Sequence, residues 1–186
     1  KVVFIFYSAL AILIIILLTS CGSCEGCKKD KQPQQDQQKT ADELWEDWLR
    51  RRENLKNNLT NSYKGIEQLR ADEKSALEGD SFSEQILNDD LARNQLLMNE
   101  VNNVKQECMN LKCEDSGFDS QPYIDALQAF ENWLVQNDSI LKGAQQVLIQ
   151  GGCIGAVGIV FHEAWPMHER RFDEASAKYR AAMQSN

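Results

Sequence analysis

The chain has 186 residues, with 28 acidic and 20 basic side chains and a formal net charge of −8. An acidic excess of this size repels a phosphate backbone, so no nucleic-acid partner is expected, whereas a cationic partner would be drawn in. The length suits one domain with extensions, and no repeat unit is evident.

From Val2 to Leu18 the chain reads VVFIFYSALAILIIILL, a run without charge. It sits at the short end of the ~20 residues that span a bilayer. An apolar core behind a basic residue, Lys1, and ahead of small residues has the pattern of a secretory signal, whose basic region would extend beyond Lys1. Leu18-Thr19-Ser20-Cys21 resembles the bacterial lipobox: an apolar residue, two small residues, then cysteine. That resemblance implies cleavage before Cys21 and acylation, including palmitate, of its thiol and new amine. The acyl chains would make the membrane a partner, and more than one is needed because a single chain holds reversibly. Residues 1–20 are then a signal peptide, 21–39 the lipidated cysteine and tether, and 40–186 the folded domain. The expected location is the cell envelope, lipid-anchored and facing the periplasm, at the outer membrane in preference to the inner, or at the cell surface.

Two other readings stand beside this one. Lys28, Lys29 and Lys31 follow the apolar run, and in an uncleaved anchor they would favour a cytoplasmic C-terminal side. Asn58-Leu59-Thr60 and Asn137-Asp138-Ser139 match the glycosylation triplet of a eukaryotic secreted protein.

The cysteines follow from the compartment. Cys21, Cys24 and Cys27 are three apart, but no second CxxC follows, so a four-thiolate metal site is not expected. Acylation of Cys21 leaves Cys24, Cys27, Cys108, Cys113 and Cys153, an odd set, in a space where disulfides form. A Cys108–Cys113 bridge would be local, and Cys113–Cys153 would tie two hairpins; both stay open. Residues 28–39, KKDKQPQQDQQK, carry no apolar side chain but Pro33 and form a solvated tether. Its lysines could rest on anionic head groups.

Helical patterning begins at Thr40, where Thr40-Ala41-Asp42-Glu43 has the form of a capping box. Leu44, Trp48, Leu55, Leu59, Ile66, Leu69 and Leu77 recur at helical spacing, with a bend expected near Asn61–Gly65. Gly79-Asp80 ends this first helix. Ser81-Phe82-Ser83-Glu84 reads as a second capping box, opening a stripe of Leu87, Leu91, Leu97, Val101, Val104, Cys108 and Leu111. Residues 112–121 read as a loop. Asp119 or Ser120 caps a third helix with Pro122 in its first turn. Tyr123, Leu127, Phe130, Leu134, Leu141, Ala144 and Leu148 follow, with a kink expected over residues 136–139 and a stop at Gly151-Gly152. Cys153–Phe161, CIGAVGIVF, fits a short buried helix or a buried strand. Helix is preferred, as core rather than as a membrane-contacting hairpin. Pro166 then starts or kinks a last polar helix. Short connections between these segments imply an all-α, antiparallel four-helix bundle.

No catalytic constellation emerges, and no cofactor is implied. His162-Glu163-Ala164-Trp165-Pro166-Met167-His168-Glu169 differs from the zincin HExxH in spacing and contains a proline, so no metal site is expected there. The segment Leu127-Gln128-Ala129-Phe130-Glu131-Asn132-Trp133-Leu134, then Gly151-Gly152, then Glu169-Arg170-Arg171, is similar to a small helical family of periplasmic lysozyme inhibitors. That resemblance would place partner binding at Trp133, Gly151, Gly152 and Arg170, with a cationic muramidase as ligand. The sequence thus points to a non-enzymatic binding or adaptor module for another envelope protein, with lysozyme inhibition as the alternative.

Overall fold

A computed structural model describes residues 40–79 and 81–185, all within one compact unit, Asp36–Asn186. The leader, Cys21, Cys24, Cys27 and the tether up to residue 39 lie outside the described residues. Four helices make up the fold: α1 Ala41–Glu78, α2 Glu84–Glu114, α3 Gln121–Ile149 and α4 Ile154–Gln184. No strand occurs among the described residues, and none of their helices is long and apolar enough to cross a membrane.

The capping box at Thr40 forms in both directions. The Glu43 amide donates to Thr40 Oγ1 at 3.3 Å, and the Thr40 amide donates to Glu43 Oε2 at 2.7 Å. The second box does not form. Ser83, two residues later than Ser81, is the N-cap of α2, its hydroxyl accepting from the Ile86 amide at 3.2 Å. Helix α3 ends in a Schellman motif. Gly151, at φ 81°, donates to Leu148 O, and Gly152 donates to Val147 O. A side chain on Gly152 would strike the Val147 carbonyl at 2.7 Å.

The helices stay continuous at three places where a bend, a kink or a boundary is expected. Helix α1 runs unbroken through Gly65, where an added Cβ would lie 2.5 Å from Leu97 Cδ2; this glycine permits the close approach of α2. Helix α3 runs unbroken through residues 136–139, because Asn137 turns inward and is fully buried. Helix α4 continues through Pro166 as one helix, joining two segments that the sequence pattern separates. Proline there leaves the His162 carbonyl without its helical donor, and His162 is exposed, so water can serve it. CIGAVGIVF forms the α4 N-cap and first turns, and only one side of it is core: Val157, Gly158 and Phe161 are buried, whereas Cys153 is exposed and Ile159 is 58% exposed.

Helices α3 and α4 pack most extensively, α1 lies against α2, α4 and, less closely, α3, and the α2 and α4 backbones do not approach each other closely. Tyr63 is the centre of the α1–α4 contact. Its ring stacks on Tyr179 at 4.2 Å and near Phe130 and Phe172 at about 6 Å. Arg70 lies over the Phe172 ring at 4.4 Å and forks onto Glu169, Nε to Oε1 at 2.8 Å. Such a half-buried bidentate pair has both geometry and shielding in its favour.

Apolar side chains form two clusters rather than one. The first, toward the start of α1, holds Leu55, Leu59, Leu69, Leu97, Val101, Phe130, Leu134 and Phe172. The second, toward the α1–α2 turn, holds Leu77, Phe82, Leu87, Leu141, Val157 and Phe161. Arg51 of α1 pairs with Glu114, the last residue of α2. Residues 41–50 therefore run on past the end of α2 by about 15 Å. Leu44, expected in the core, is 56% exposed there, with Trp45 at 59% and Leu49 at 43%.

Candidate functional site

Between the two apolar clusters every helix contributes a polar side chain at one level of the bundle. Along α1 the order is Leu69, Glu73, Leu77; along α2 it is Leu97, Asn94, Asp90, Leu87. Along α3 it is Leu134, Asn137, Leu141, and along α4 Phe172, His168, Phe161. Spacings of three and four carry these residues on the same inward stripe as the leucines, which is why they are buried.

The layer is linked internally. Asn137 Nδ2 donates to Glu73 Oε1 at 2.8 Å and to Asn94 Oδ1 at 3.2 Å. Asn94 Nδ2 donates in turn to the Leu134 carbonyl at 3.0 Å. The second Glu73 oxygen lies 3.5 Å from His168 Nε2, within ion-pair range but without hydrogen-bond alignment. Trp133 covers one side of the imidazole at 4.4 Å and Trp165 lies at 5.4 Å. Asp90 is 5% exposed, and its Oδ2 has no protein partner. Burial pushes its carboxyl up to about 7, the Glu73 charge adds to this, and Arg93 opposes it. Desolvation penalises the charged form, and a neighbouring anion adds to that penalty.

A strongly perturbed buried carboxyl often marks a working site. Such a site also needs access. Glu73, Asn94 and Asn137 are fully buried and His168 is 1% exposed. Two surface clefts lie elsewhere: one is lined by Arg51, Asn58, Glu107 and Glu114, the other by Asn132, Arg171 and Glu174. Among the described residues no group of three His, Cys, Asp or Glu is arranged to hold a metal. The arrangement can set helix register, because slipping any one helix would strand these groups in apolar surroundings.

The residues singled out by sequence are dispersed. Trp133 is fully buried against His168, so its ring offers no binding surface. Gly151 and Gly152 sit past the end of α3, about 25 Å along the helix from Trp133. Arg170 is exposed midway along α4. These four do not form one surface. His162 is exposed and His168 buried, so the two histidines do not converge, and Glu169 is engaged by Arg70. Cys108 and Cys153 are free thiols, so neither the Cys108–Cys113 nor the Cys113–Cys153 bridge is formed. Cys108 is sealed in the apolar cluster, and Cys153 is exposed at the α4 N-cap. Burial pushes the Cys108 thiol up to about 11, so it packs as a neutral group near the Ser120 carbonyl. Cys21 lies outside the described residues.

The sequence pattern did not reveal the polar layer as one unit. Glu73, Asp90, Asn94 and Asn137 interrupt their stripes at positions that only an antiparallel register brings to a common level. Comparison with protein-family models, curated proteins and solved structures finds no match for this chain.

Proposed function

We propose that this chain is a lipid-anchored cell-envelope protein whose four-helix body acts, without catalysis, as a binding or adaptor module for another envelope protein. One observation carries the reading: the lipobox-like Leu18-Thr19-Ser20-Cys21 is followed by a polar tether that ends where the Thr40 capping box begins the helical body. The linked polar side chains of the mid-bundle layer are enclosed, which favours a role played at the outer surface. The alternative, an inhibitor of a cationic muramidase, keeps the support of the −8 net charge. It would need a surface that does not include the Trp133 ring.

A protease site inserted within residues 28–39 tests the stalk-and-body arrangement. Cleavage of the membrane-bound chain should release a helical body that unfolds cooperatively in urea. A body that neither dilution nor added carrier vesicles can draw off the membrane, or that leaves it unfolded, would overturn the proposal. Mixing the released body with lysozyme at low salt tests the alternative, which predicts inhibition that fades as salt screens the charges.

A further inference from the structure

The part of α1 that overruns the bundle has a divided surface. At 100° per residue, Ala41, Leu44, Trp45, Trp48 and Leu49 fall on one arc and Asp42, Glu43, Glu46, Asp47 and Arg50 on the other. Trp48 packs on the apolar cluster and stacks with Trp45 at 5.1 Å. Leu44, Trp45 and Leu49 are left standing in solvent.

We propose that the first three turns of α1 lie on a zwitterionic bilayer surface, with Leu44, Trp45 and Leu49 seated at the boundary between head groups and acyl chains. The inference rests on the anchored reading above. Thr40 follows Cys21 by 19 residues (40 − 21). Nineteen residues reach at most about 65 Å even when fully extended. Whether the leader is cut or kept, the stripe is thus held beside lipid at high effective concentration. Tryptophan with leucine is the pairing that settles at the head-group level. The acidic arc would face away from the lipid and would be repelled by an anionic surface, which selects a zwitterionic one. A second copy of the chain fits less well. Three partly exposed side chains offer on the order of 300 Å², against the ~800 Å² per partner of a stable dimer.

The test uses the intact acylated chain, reconstituted in phosphatidylcholine vesicles that carry nitroxide-labelled lipid, with tryptophan fluorescence as the readout. Shallow nitroxides should quench the wild type, and Trp45→Phe should lose at least about two-thirds of that quenching. Leu44→Asp/Leu49→Asp should lose it similarly, while both variants still float with the vesicles. Equal quenching in wild type and Trp45→Phe would overturn the inference and leave the anchor standing. So would a dimer captured by a photocrosslinker placed at position 45. Failure of the wild type to float would overturn both readings together.

Discussion

Glu73 and His168, on the first and last helices, face each other at 3.5 Å in a layer where neither meets solvent. Asn137 completes the contact by donating to the other Glu73 oxygen at 2.8 Å. An apolar core alone would leave four similar helices free to slide by a turn, and this layer removes that freedom. The cost is desolvation, which the network only partly offsets, because Asp90 Oδ2 and Asn137 Oδ1 keep no protein partner.

Breaking the layer should therefore cost more than removing it. Asn137→Ala strips the buried Glu73 side chain of a hydrogen bond and is expected to lose about 1–3 kcal/mol in urea unfolding. Replacing Glu73, Asn94, Asn137 and His168 together by leucine should be close to neutral in stability, with broadened amide NMR signals as register becomes degenerate. A loss below about 0.5 kcal/mol for Asn137→Ala would contradict this account.

Asp90 gives the layer a pH dependence of definite sign. Its ordinary value is 3.8 and in the fold it lies at about 7. Between those values the folded chain holds a proton that the unfolded chain has released. Stability from this group is thus full below pH ~4 and is lost as pH rises through about 7, a change on the order of 4 kcal/mol. Asp90→Asn should flatten that limb and be more stable than the wild type at pH 8, as read from urea midpoints across pH.

At Gly65 two effects compete. Alanine in a helix interior gains about 1 kcal/mol over glycine. Here its Cβ would meet Leu97 Cδ2 at 2.5 Å, and overpacking costs about 1–3 kcal/mol. Gly65→Ala is expected to be net destabilising, and less so in a Leu97→Ala background. A double-mutant cycle measures the coupling. Additive effects would show that the close approach of α2 is not what glycine serves.

The two free thiols among the described residues should differ in reactivity. Cys153 is exposed, and Cys108 is buried with its thiol raised to about 11. Alkylation at pH 8 should label Cys153 in the native protein and reach Cys108 only after unfolding. Mass mapping of labelled peptides decides it.

Helical periodicity and capping were enough to place the four-helix class, the Thr40 start and the Gly151-Gly152 stop. What they missed was tertiary. Gly65 read as a bend because glycine weakens a lone helix, but the nearness of Leu97 is a property of α2. Pro166 read as a boundary because it removes a helical hydrogen bond, yet burial of Phe161 and Phe172 on either side holds one helix together. Asn137 read as a kink because its inward hydrogen bonds come from α1 and α2. Leu44 read as core because its spacing is right, but no helix extends far enough to cover it.

The account turns on residue 21 being the first residue of the mature chain and its point of attachment to lipid. Intact-mass and N-terminal peptide mass spectrometry of the membrane-extracted protein measures this directly. The expected species begins at Cys21 and carries diacylglyceryl and amide-linked acyl mass. A Cys21→Ser chain should keep residues 1–20 and gain no lipid. A wild-type chain that retains residues 1–20 with an unmodified Cys21 would contradict the account.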